Sequence, residues 1–160
     1  MAKVTTICLS LKKACPFIKG LPLKKRSFKP LIAHHQLQGL HNVLQEFPRA
    51  QPLVMEIGFG MGETLIREAF QHPNKNYLGI ELLWERIYKT LGAIEREQEK
   101  SKVSDALDNI KILDTDVRIV LERFLLPQSL EYVYCLFPCP WPINKPCETS
   151  VILDGFFKAS

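Results

Sequence analysis

At 160 residues, 46% apolar and 24% charged, the chain has the length of one globular domain and enough apolar surface for a core. No run approaches the ~20 apolar residues of a membrane helix, and five cysteines, an odd number, fit no paired disulfide framework and suit a reducing cytoplasm. The net charge of +4 is unevenly spread: no acid precedes Glu46, yet Lys3, Lys12, Lys13, Lys19, Lys24, Lys25, Arg26 and Lys29 do, so a basic arm leads a mildly acidic body, the pattern of a chain that meets an anionic polymer.

In chain order, residues 1–30 are broken by Pro16, Gly20, Pro22 and Pro30 and read as an arm with little regular structure. Their apolar piece, Val4 to Leu11, is short and meets Lys12-Lys13 at once, unlike a secretory signal. Residues 31–160 form the second unit. His34 to Phe47 predicts a helix, with Leu37, Leu40, Leu44 and Phe47 at three- and four-residue steps. Leu53 to Ile57 reads as a strand buried on both faces, and Gly58, Gly60 and Gly62 follow in a sharp turn. A helix is expected from Thr64 to Phe70, with Glu63 in its first turn. Tyr77 to Ile80 is a second strand, ended by Glu81. A long amphipathic helix then carries Leu83, Trp84, Ile87, Tyr88, Leu91 and Ile94 as its core stripe. Asn109 to Leu113 is a third strand, followed by Asp114 and Asp116; Val117 to Phe124 is helical. Tyr132 to Phe137 is a fourth strand that runs into Pro138-Cys139-Pro140-Trp141-Pro142.

Short strands alternating with helices imply a parallel α/β sheet. Ligands of such sheets bind beyond the carboxyl ends of the strands, where Glu56 with its glycines, Glu81, Asp116 and Cys139 would gather. The turn is G-x-G-x-G and not the dinucleotide fingerprint, whose third glycine would fall at Glu63. A carboxylate at a strand tip can hold two ribose hydroxyls. Two carboxylates around one glycine turn are awkward for a pyrophosphate. They suit a nucleoside with positive groups, such as S-adenosylmethionine.

Met55-Glu56-Ile57-Gly58-Phe59-Gly60-Met61-Gly62-Glu63, Gly79-Ile80-Glu81, Asn109-Ile110, Asp116 and Leu136-Phe137-Pro138-Cys139-Pro140-Trp141-Pro142 together resemble the bacterial tRNA (guanine-N7)-methyltransferases, from about residue 24 to 142. The resemblance implies a Rossmann-like class I methyltransferase fold, with about four strands present and the C-terminal strands missing. It implies that Glu56, Glu81 and Asp116, with Gly58, Gly60 and Gly62, hold S-adenosylmethionine. Glu56 would lie near the methionine part, Glu81 on the ribose hydroxyls and Asp116 at the adenine end. It also implies tRNA as partner, with Lys24, Lys25, Arg26 and Lys145 on the RNA.

Two departures stand out. Cys139 occupies the position of the family's catalytic Asp. Ile143 stands at the position of a substrate-binding Lys, and the basic stretch that follows in the family is reduced to Lys145. Methyl transfer by this short chain is therefore expected to be impaired or absent. Two other readings remain open: a non-catalytic module that binds S-adenosylmethionine or tRNA, and a pyrimidine C5 RNA methyltransferase with Cys139 as nucleophile. Strand four, left unpaired on one side, would be an edge prone to homo-oligomerisation.

Overall fold

The computed structural model describes residues 29–32, 43–101, 103 and 105–136. These form one parallel five-stranded sheet in the order β1-β4-β3-β2-β5. The strands are β1 (Leu31–Ile32), β2 (Leu53–Ile57), β3 (Asn76–Ile80), β4 (Ile110–Leu113) and β5 (Leu130–Tyr134). Helix α1 (Glu63–Gln71) joins β2 to β3, α2 (Trp84–Ser101) joins β3 to β4, and α3 (Val117–Arg123) joins β4 to β5.

The interior strand β2 is closed on both faces because it is apolar at nearly every position. Leu53 and Met55 point to one face, where they pack with Leu78, Ile80 and Leu113 under Val117, Val120 and Phe124 of the α3 segment. Val54 points to the other, with Tyr77, Ile110 and Ile112 under Leu65 and Ala69 of α1 and Ile87, Leu91 and Ile94 of α2. Helices α1 and α2 thus cover one face and α3 the opposite one. The crossovers from β2 to β3 and from β3 to β4 step one way across the sheet, and the return to β5 steps the other way. Reversing the direction and the face together keeps all three crossovers of one hand, as twisted parallel sheets require. The β4-β3-β2-β5 order is that of a Rossmann-like half, with its switch point beside β2.

The amphipathic stripe of α2 is buried at Ile87, Tyr88, Leu91 and Ile94, whereas Leu83 lies ahead of the helix and is exposed. The fourth strand begins two residues earlier than its apolar run suggests. Leu130 pairs with Leu53 across a register shift, and Cys135 and Leu136 lie beyond the strand. A fifth, two-residue strand, β1, adds to the four expected, pairing Leu31 with Ile112 and Ile32 with Leu113. Of the helix expected over His34 to Phe47, the described part is a 3-10 turn at Val43–Glu46. It is anchored by the buried Val43, whose N–H donates to the Phe124 carbonyl.

Candidate cofactor site at the strand ends

Three strand ends are locked side by side. The Gly58 N–H donates to the Ile80 carbonyl (2.8 Å), which extends the β2-β3 ladder into the glycine turn. The Glu81 N–H donates to the Leu113 carbonyl (3.2 Å), which extends β3-β4 in the same way. The sequence therefore delivers the glycine turn, Glu81 and the Asp114-Thr115-Asp116 segment to one edge.

The turn itself needs glycine twice over. Gly58 and Gly60 hold φ of +66° and +60°, and a Cβ at either would meet nothing within 4 Å, so the left-handed backbone faces open space. Gly62 caps α1 at φ +74° and lies against Thr90 of α2.

Glu81 is buried, and its carboxylate ties the turn to α2. Oε2 accepts from the Gly60 N–H (3.1 Å) and from Arg86 Nη1 (3.4 Å). Oε1 accepts from the N–H groups of Leu82 (2.9 Å) and Leu83 (3.1 Å). Glu56 projects from β2 on the same face as Val54, flanked in register by Gly79 of β3 and Tyr134 of β5. A Cβ on Gly79 would come within 2.7 Å of Phe59 and Leu65, so the missing side chain lets those two residues close over the sheet beside Glu56. Glu56 is 5% exposed, and its Oε2 has no hydrogen-bond partner among the described residues. Burial pushes its carboxyl up to about 7, against the opposing charge of Arg67.

Asp116 stands at the same edge but faces its own helix. It caps α3, accepting from the Arg118 N–H (2.9 Å), and it forms a two-pronged pair with the Arg118 guanidinium, 2.7 Å at the closest. That hydrogen bonding holds its carboxyl below the usual carboxylate range. Of the site residues read from the sequence, the structure joins Glu81 directly to Gly60 and lines up Glu56, Gly58 and Gly62 with them. Asp116 is nearby in topology and committed locally. Cys139, Lys24, Lys25, Arg26 and Lys145 lie outside the described residues.

Two residues missed by sequence reasoning complete the picture: Arg86, on Glu81, and Thr90, against Gly62. Their signal was weak. Arg86 sits five residues after the acid, in the first turn of a helix, and reads as a solvated charge.

Concavities elsewhere do not compete with this edge. One of about 330 Å³ opens near the N-terminal ends of β3 and β4, among Arg49, Phe70, Asn76, Val103 and Asp105. Another of about 380 Å³ runs outward between α1 and α2, lined by Met61, Ile66, Phe70 and Ala93. Neither holds a buried acid next to a glycine turn, and topology favours the strand ends.

A family model described as "Putative methyltransferase" matches residues 50–152. The chain belongs to this methyltransferase family. Among curated relatives, the tRNA (guanine-N(7)-)-methyltransferase of Nitrosomonas eutropha is 38% identical over 110 residues, covering 69% of this chain and 46% of the relative. The enzyme of the same name from Neorickettsia sennetsu is 31% identical over 128 residues, covering 80% and 51%. The chain thus spans about half the length of the curated relatives it matches. A solved methyltransferase from Haemonchus contortus, phosphoethanolamine N-methyltransferase 2 in complex with S-adenosyl-L-methionine, is 18% identical with a TM-score of 0.37, covering 57% of this chain and 19% of its own. The family member described here keeps, on a parallel sheet, the acid-and-glycine edge read from its sequence.

Proposed function

We propose that this chain carries the cofactor-binding half of a tRNA (guanine-N7)-methyltransferase and that its strand-end site binds S-adenosylmethionine. The observation that carries the reading is the buried Glu56 oxygen without a partner, beside a glycine turn whose Gly60 N–H rests on Glu81. A buried carboxylate lacking a partner is costly unless a cation or donor meets it. The residues present fit the cofactor: Glu56 suits the ammonium or sulfonium, the open space over Gly58 and Gly60 admits close backbone approach, and Glu81 suits the ribose diol. Asp116, already paired to Arg118, would serve the adenine end by fixing the loop after β4.

When bound, S-adenosylmethionine supplies an electrophilic methyl group on sulfur. Guanine N7 offers a lone pair and carries no proton, so the chain need not remove one. Its task is to hold the purine in line and to place negative charge near a base that turns cationic. Cys139, which follows β5 in the sequence, is the residue we assign to the purine side. Lys24, Lys25, Arg26 and Lys145 are assigned to the RNA phosphates, in a protein acting in the cytoplasm. Two copies of the chain would associate along the outer edge of β5.

Calorimetry with S-adenosylmethionine tests the first step. The wild type should bind, and Glu81→Ala should bind roughly ten- to a hundred-fold more weakly, the loss of hydrogen bonds to a charged group. Transfer of a labelled methyl group to unmodified tRNA, recovered as 7-methylguanosine, tests the second. Binding without transfer supports a cofactor-binding module instead, and no binding overturns the proposal.

A further inference from the structure

The Glu81 carboxylate is saturated from within the chain. A carboxylate offers about four lone-pair sites, and Glu81 receives four donors: the N–H groups of Gly60, Leu82 and Leu83, and Arg86 Nη1. Three of these are backbone amides, fixed by the glycine turn and by the entry to α2. The fourth is a long side chain, 41% exposed, and at 3.4 Å it makes the longest of the four contacts. Arg86 lies in the first turn of α2, where the helix dipole disfavours a cation. Glu81 compensates that placement, and Arg86 in turn supplies a side-chain donor to Oε2, at 3.4 Å.

We propose that Arg86 is a built-in occupant of the ribose subsite, an affinity-setting residue that the 2′,3′-diol of a nucleoside ligand must displace from Glu81. The inference rests on the cofactor reading above. A diol hydroxyl and the Arg86 guanidinium are both donors, and with three of about four lone-pair sites held by backbone amides they would compete for the remaining one. Binding therefore trades the long contact from the half-exposed Arg86 for hydroxyl hydrogen bonds to the buried carboxylate. A nucleoside without the two hydroxyls has nothing to donate there and leaves Arg86 in place.

The test compares calorimetric binding of S-adenosylhomocysteine and its 2′,3′-dideoxy analogue to the wild type, Arg86→Ala and Arg86→Lys. Arg86→Ala should bind the diol ligand roughly two- to five-fold more tightly, a modest gain that suits a long contact from a half-exposed side chain that no longer has to be broken. It should bind the dideoxy ligand as the wild type does, a split that a merely structural change would not produce. Arg86→Lys keeps the cation and should resemble the wild type. Arg86→Gln removes the cation but keeps the helix and most of the side chain, and should show the same split between the two ligands as Arg86→Ala; this arm decides the matter even if Arg86→Ala fails to fold. Equal or weaker diol binding by both Arg86→Ala and Arg86→Gln, or an equal gain for both ligands, overturns the placeholder role alone. No binding by any of these chains overturns it together with the cofactor reading.

Discussion

Glu56 is 5% exposed, and burial, opposed by Arg67, lifts its carboxyl to about 7. In the unfolded chain the same group has the ordinary glutamate value near 4.5. The folded state therefore holds the proton more tightly. Glu56 contributes stability that is complete below about 4.5 and is lost as pH rises through about 7. Glu56→Gln should remove that slope, so its melting temperature should exceed that of the wild type above neutral pH and match it in mild acid. A cationic ligand reverses the balance, because it favours the ionised acid. Cofactor affinity of the wild type should rise with pH through about 7, with proton release on binding, while Glu56→Gln binds weakly and without that dependence. Calorimetry in buffers of different ionisation enthalpy reads the proton directly.

At the scale of elements, helices α1 and α2 meet through a missing side chain. A Cβ on Gly62 would overlap Thr90 Cγ2, and the residue also holds φ +74°. Gly62→Ala should therefore destabilise the chain by about 2–4 kcal/mol, adding overpacking to backbone strain. Thr90→Ala in the same chain relieves the overlap but not the strain, so the double variant should recover part of the loss. Denaturant melts of the four chains measure the coupling, and simple additivity would refute the contact. Helix α1, the glycine turn and β2 were legible in the sequence because three local signals agree there: a buried apolar run, glycine punctuation and a helical stripe. The short β1 was not, since two residues carry no period and its pairing with β4 is entirely tertiary. The start of β5 was misjudged because Leu130 joins through its pairing with Leu53 across a register shift, which the alternation of its own residues does not encode. Glu81 was correctly placed at a strand tip. Its four donors were not foreseen, since backbone amides bear no mark in a sequence.

For the molecule as a whole, the sheet among the described residues ends at β5, which pairs only with β2. Tyr132 is 53% exposed on that strand, with the Lys75 ammonium 4.8 Å from its ring centroid and paired to Glu131 (3.0 Å). An uncovered edge recruits strands, and charges along it restrain the recruitment. Sedimentation velocity over a concentration series should show reversible self-association that Tyr132→Lys weakens. A single monomeric species at every concentration would rule out association along β5.

The four-way grip on Glu81 has a mechanical side. One carboxylate rivets the turn that launches α1 to the amides that launch α2. A ligand that takes the place of Arg86 leaves these three amides where they are, so the roots of both helices stay pinned to each other whether the edge is empty or filled.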